Sequence, residues 1–263
     1  MSEGVELLAR DGIARIRLNR PAQGNALDHA AAVALGAATA RAAEDSSVRC
    51  VVLTGTGRFF CTGGDVGSFA AAANRGAFVK DLAEGVHRAV MTLATMSKPL
   101  LVAVNGPAAG AGFGLALLGD LVIASDAAHF TSAYSAIGLT PDGGLSWSLP
   151  RLAGLRRAQE IIITNRRVGA AEAADIGLVT RTVPATEFDA EIDRTAALLV
   201  AAPTGALGAI RTLLSASATT SLADQLDAEA ASIGRAAEGD EGREGVDAFQ
   251  AKRSPRFNNG AVE

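Results

Sequence analysis

Cysteine is scarce: the 263-residue chain holds two, Cys50 and Cys61. Neither belongs to a Cys-x-x-Cys pair or a Cys/His cluster. That excludes a disulfide framework and a thiolate zinc site, and it suits a reducing compartment. Histidine is nearly as rare, with three residues, His29, His87 and His129, scattered along the chain. Each reads as a surface or packing residue rather than a catalytic one. No run of five or more Lys/Arg occurs, and the net charge is -4. Nucleic acid and anionic membrane are therefore excluded as main partners. No apolar stretch is long enough to span a bilayer before Gly, Asn or Asp breaks it. The first residues, Met1 to Glu6, are acidic where a secretory signal would be basic and then apolar. A cytoplasmic protein is expected.

What the chain has is a large apolar share, 49% of its residues, enough for a sizeable core. Asp11-Gly12 is a two-residue turn signal. After it, Ala14, Ile16 and Leu18 alternate with Arg15 and Arg17, as in a strand with one apolar face. Pro21 ends that strand. Asp28 suits the N-cap of an Ala-rich helix running to about Glu44. Arg49 to Thr54 and Leu100 to Val104 are apolar runs without alternation, the pattern of strands buried on both faces. A helix is expected over Phe78 to Met96 and a further strand over Asp120 to Ala124. Strands and helices alternate to about residue 186, and helices dominate beyond it. The pattern predicts an α/β core, residues 1–195, followed by a helical region, residues 196–263. The residues show no fixed-period repeat.

Three segments in order carry a resemblance: Arg20-Pro21 through Asn25-Ala26-Leu27, Phe59-Phe60-Cys61-Thr62-Gly63-Gly64-Asp65-Val66, and Asn105-Gly106-Pro107-Ala108-Ala109-Gly110-Ala111-Gly112 on to Gly119-Asp120. It continues through Gly138 to Gly144 and ends with Phe249 to Phe257. Together they resemble the crotonase, or enoyl-CoA hydratase/isomerase, family over nearly the whole chain. The resemblance implies a spiral of ββα turns with a helical C-terminal trimerisation region. It also implies a homotrimer or dimer of trimers and an acyl-CoA thioester as ligand. No separate cofactor is implied, because coenzyme A enters as part of the substrate.

Such enzymes stabilise a thioester enolate with two backbone N–H groups. By resemblance these are the amides of Gly64 and Ala111, in glycine-rich loops where backbone can approach a ligand closely. Ala111 lies at a helix start, where the helix dipole adds to the effect. Family hydratases also carry two glutamates, at the positions held here by Gly114 and Tyr134. Glycine carries no proton, and a phenol is a poor base at neutral pH. The remaining carboxylate is Asp142, in Pro141-Asp142-Gly143-Gly144. This segment resembles the 1,2-epoxyphenylacetyl-CoA isomerases, and dienoyl-CoA isomerases also carry an aspartate there as acid/base. An isomerase needs one such group, since a single carboxylate can take a proton from C2 and return it at C4. A hydratase must activate water and deliver a proton together, which favours two groups.

The resemblance further places coenzyme A beside Ala22, Ala26 and Leu27, and beside Gly63, Asp65 and Val66. Phe249 and Lys252 would cover it, often from an adjacent subunit. Asp65 also suits a loop-fixing role, binding nearby amides. Tyr134 is expected either to pack in a strand or to line the acyl pocket and donate a hydrogen bond. Residues 69–83 are expected to form a mobile acyl-pocket wall. Enoyl-CoA hydration, and acyl-CoA binding without turnover, stand as alternative activities.

Overall fold

Residues 4–257 are described in a computed structural model of the chain. Strands β1 (Val5–Arg10) and β2 (Ile13–Leu18) form an antiparallel hairpin through Asp11-Gly12. Ala14, Ile16 and Leu18 are buried, as their alternation requires. Helix α1 (His29–Glu44) begins where the Asp28 carboxylate accepts the Ala31 N–H at 2.8 Å. Strand β3 (Cys50–Gly55) follows. Helices α2 (Val66–Ala71) and α3 (Arg75–Thr95) then lead to β4 (Leu100–Val104). Asn74 caps α3, so this helix starts three residues before the expected Phe78.

After β4 come β5 (Ala108–Ala109), α4 (Ala111–Ala116), β6 (Leu121–Ser125) and β7 (His129–Thr131). Asp120, expected to open β6, instead turns its carboxylate back to the Leu100 N–H at 2.7 Å. Next are α5 (Leu145–Ala153), α6 (Leu155–Thr164), β8 (Val168–Gly169), α7 (Ala170–Asp175) and β9 (Arg181–Val183). The chain finishes with α8 (Phe188–Ala201), α9 (Thr204–Ala216), α10 (Leu222–Glu238) and α11 (Asp240–Gln250).

The larger sheet has the order β1-β2-β3-β4-β6-β9, parallel from β2 onward. The smaller has the order β5-β7-β8. Single parallel bridges, Leu27 to Gly64 and Cys61 to Ala108, continue the smaller ladder backwards along the chain. Each turn of chain thus leaves a rung on the large sheet and then one on this short staircase. The turns are a spiral that no sequence repeat announced, because the staircase rungs are only one to three residues long. β4 is buried at every position, packed on both faces of the sheet. Among the described residues no single helix is long and apolar enough to cross a membrane.

Candidate active site

The staircase brings backbone from three turns of the spiral to one cavity of about 520 Å³. The loop at Gly63 and Gly64 is fixed from below by Leu27, whose N–H donates to Gly63 O at 2.8 Å, while Asp65 N donates to Leu27 O at 2.9 Å. From above, Ala109 N donates to Cys61 O at 2.8 Å, and Gly110 N donates to Thr131 O at 3.1 Å. The first residue of α4, Ala111, therefore lies beside the Gly63 loop. A Cβ built on Gly63 would sit 3.5 Å from Ala111 N. Among the described residues, neither Gly64 N nor Ala111 N donates to an internal acceptor. Both residues line the cavity. Two free donors on adjacent rigid loops can bind one developing oxyanion. Ala111 opens α4, a helix of six residues, so the contribution of the helix end there is that of the unsatisfied N–H groups of its first turn.

Asp142 and Tyr134 line the same cavity. The Tyr134 hydroxyl donates to the Asp142 carboxylate. Tyr134 is buried, with 9% of its surface exposed. Burial, and then the charge of Asp142, push its hydroxyl well above the usual phenol range, so it remains a donor. Tyr134 is not a strand residue: it follows β7 and opens a short 3-10 turn at Ser135–Ile137. Leu145 N donates to Asp142 O at 3.1 Å and ties the aspartate to the start of α5.

Gly114 lies on α4 with its Cα facing this segment. A Cβ there would overlap the Gly143 carbonyl oxygen. No side chain fits at position 114 while the Asp142 segment keeps its place. Glycine here is a packing requirement, which the sequence alone cannot show.

The opposite wall is helical and mainly apolar, with Arg75 and Lys80 of α3 also on it. Phe69 of α2 and Val79, Leu82, Ala83 and Val86 of α3 face the cavity. The Ala- and Gly-rich stretch expected to be a mobile wall is thus mostly capped helix. Leu27, Gly63 and Val66 also line the cavity. Asp65 does not. Its carboxylate accepts the Ser68 N–H at 3.3 Å, capping α2, and meets Arg20 at 3.3 Å. Arg20 also bonds Ala26 O at 2.6 Å and Asp28 at 2.9 Å, joining the first loop to the second. Its position inside the Arg20-Pro21 motif was the only sequence signal for that role. Ala22 is exposed, Ala26 is buried, and neither lines the cavity. Phe249 and Lys252 lie exposed at the end of α11, away from the cavity of their own chain. Cys61 is fully buried, and burial pushes its thiol up to about 12, which leaves no thiolate for nucleophilic work. His87, read from sequence as an ordinary residue, accepts the Gly143 N–H on Nε2 at 3.2 Å.

Among the described residues no group of three or more His, Cys, Asp or Glu gathers to hold a metal ion.

A family model described as enoyl-CoA hydratase/isomerase matches residues 9–260. A protein of Rhodobacter capsulatus named "probable enoyl-CoA hydratase" is 40% identical over 94% of this chain and 95% of its own. The 1,2-epoxyphenylacetyl-CoA isomerase of Escherichia coli is 37% identical, again over 94% and 95%. Among solved structures, an enoyl-CoA hydratase from Polaromonas sp. JS666 superposes with a TM-score of 0.91 at 34% identity, covering 96% of this chain and 98% of its own.

Proposed function

The chain belongs to the enoyl-CoA hydratase/isomerase family, and we propose that it is an enoyl-CoA isomerase in which Asp142 alone moves the proton. The family acts on acyl-CoA thioesters. In the proposed mechanism the thioester carbonyl oxygen takes the Gly64 and Ala111 N–H groups. Asp142 removes a proton from C2, and the electron pair moves onto the carbonyl oxygen as an enolate. The same carboxyl then returns the proton to C4, which shifts the double bond from position 3 to position 2. The Tyr134 hydroxyl occupies one carboxylate oxygen and leaves the other for the substrate. The apolar wall from α2 and α3 keeps water from the enolate and strengthens the two N–H contacts.

The observation that carries this reading is the state of positions 114 and 134. One is closed by the Gly143 backbone, and the other holds a protonated phenol bonded to Asp142. A second acid/base group for concerted hydration is missing from both. The likeness to the Escherichia coli isomerase supports a substrate of the epoxyphenylacetyl-CoA type. Hydration is the second reading, favoured by the name of the Rhodobacter relative at 40% identity.

Coenzyme A is proposed to run from the Gly63–Val66 loop past Ala22, Ala26 and Leu27. The exposed apolar faces of the C-terminal helices fit a homotrimer or dimer of trimers. In that assembly Phe249 and Lys252 would reach the coenzyme A of a neighbouring copy. The test is to assay the purified protein with a 3-enoyl-CoA and with a 2-enoyl-CoA. Isomerisation with negligible hydration is expected. Fast hydration without isomerisation would replace this reading with the hydratase.

A further inference from the structure

Gly143, the residue after Asp142, is wedged between two helices. Against α4, a Cβ built on Gly143 would meet Ala111 Cα at 3.3 Å, and Gly114 presses on its carbonyl oxygen. Its φ of +59° lies in the left-handed region, so the segment turns sharply here. Its N–H points the other way, to α3, and donates to His87 Nε2 at 3.2 Å. Among the described residues that N–H has no other acceptor. Gly144 packs one turn further along α3, where its Cβ would lie 3.8 Å from Val90.

The geometry points to His87 as a positioning residue: by accepting the Gly143 N–H, its neutral imidazole holds the Asp142 segment against Ala111. Acid/base group and oxyanion donor are then fixed as one unit. The inference rests on the reading of Asp142 as the acid/base. His87 sits on the outer groove between α1 and α3, open to water. A doubly protonated imidazole is only a donor, so it cannot take the Gly143 N–H. Protonation of Nε2 therefore opens the tether. Charged neighbours that share the groove with it are Glu84 and Arg88 on α3. The α1 side of the groove is lined by Ala32, Val33, Gly36, Ala37 and Ala40, none of them charged.

The test follows 3-enoyl-CoA isomerisation between about pH 5 and 8.5 for wild type, His87→Ala, His87→Gln and Asp142→Asn. At the alkaline end His87→Ala should lose about fivefold to tenfold in kcat, the size of one hydrogen bond's net contribution, with KM little changed. His87→Gln should keep most of kcat, because its side-chain carbonyl can take the same N–H. It should also lack the acid-side fall in kcat that wild type shows. A 15N spectrum near pH 8 should find His87 Nε2 without a proton. Wild-type kcat and pH profile in His87→Ala, with Asp142→Asn inactive, would overturn the tether and leave the acid/base reading intact. Full activity in Asp142→Asn would remove that reading instead. The spectrum would then decide the tether, a protonated Nε2 overturning it. If His87→Ala does not fold, the His87→Gln profile and the spectrum test the tether: an acid-side fall retained in His87→Gln, or a protonated Nε2, would overturn it.

Discussion

Helix α3 buries Leu82, Gly85, Val86, Ala89, Val90 and Leu93, whereas α10, seventeen residues long, buries none. On α10, Leu222 and Ile233 are more than 70% exposed, and on α11 Phe249 is 86% exposed. Both regions are helical, so secondary structure does not separate them. The difference lies in what covers them. α3 packs on α1 and walls the cavity within the same chain, with Met91 its one large apolar side chain left more than half exposed. α9, α10 and α11 pack mainly on one another and leave an apolar face uncovered. An uncovered face of that kind marks an interaction surface. The contrast is between a self-sufficient part that walls the cavity and a part with an uncovered apolar face; on the proposed reading the first holds the reacting groups and the second covers the ligand of a neighbouring copy.

Four perturbations sharpen that contrast. The largest effect is expected from Gly114→Glu in the self-sufficient part. The side chain would overlap Gly143, and overpacking of this kind costs about 1–3 kcal/mol or more. Thermal unfolding should show a clear loss of stability, and hydration of a 2-enoyl-CoA should not appear. Stable protein that hydrates would show the site to be more plastic than its packing implies.

Tyr134→Phe comes next. It removes the hydroxyl donor to Asp142 and should lower kcat by about tenfold or more, the size of a hydrogen bond to a charged group. Steady-state kinetics at fixed pH measure this. An unchanged kcat would reduce Tyr134 to a lining residue.

The third perturbation moves to the other region. Replacing Val246 and Phe249 by Asp puts charge on the exposed face of α11. Sedimentation velocity should show weaker self-association. The stability of the single chain should change by only about 0.5 kcal/mol per site, as for other surface substitutions. Unchanged assembly would assign the apolar face to another partner.

The smallest effect concerns acid. The guanidinium groups of Arg194 and then Arg181 hold the Glu191 carboxyl down to about 2, from an ordinary 4.5. A carboxyl lowered in the folded state contributes stability that is full above its ordinary value and lost as pH falls towards 2. Hydrogen exchange where α8 meets β9 should accelerate across that window, while β4 stays protected. Equal acceleration in both would mean global unfolding instead of a local release.

Local signals made much of the self-sufficient part readable. Leu100 to Val104 is a continuous apolar run and forms β4 with those bounds. Asp28 is a capping residue before an Ala-rich stretch, and α1 begins there. The loop-fixing role read for Asp65 rests on the same short-range chemistry, and its carboxylate caps α2, a helix the sequence did not show. What escaped the sequence depends on residues distant in the chain. The two- and three-residue strands β5, β7 and β8 carry no pattern of their own and exist because the spiral aligns them. The closing of position 114 by Gly143 is a contact between α4 and the segment before α5. The His87 bond crosses from α3 to that same segment. A lone histidine among alanines and charges has no sequence mark that separates it from a surface residue. The Tyr134–Asp142 bond joins two residues singled out separately, Tyr134 for the acyl pocket and Asp142 as the acid/base, and the turn from Tyr134 to Gly138 with the loop after it brings them together.

The central claim is that one carboxylate does the proton transfer. Its most direct test compares wild type with Asp142→Asn for 3-enoyl-CoA isomerisation, with acyl-CoA binding measured alongside. The account predicts that isomerisation falls by about 10²–10⁴-fold, the usual worth of a general acid/base, while binding is retained. Isomerisation at the wild-type rate in the variant would contradict it.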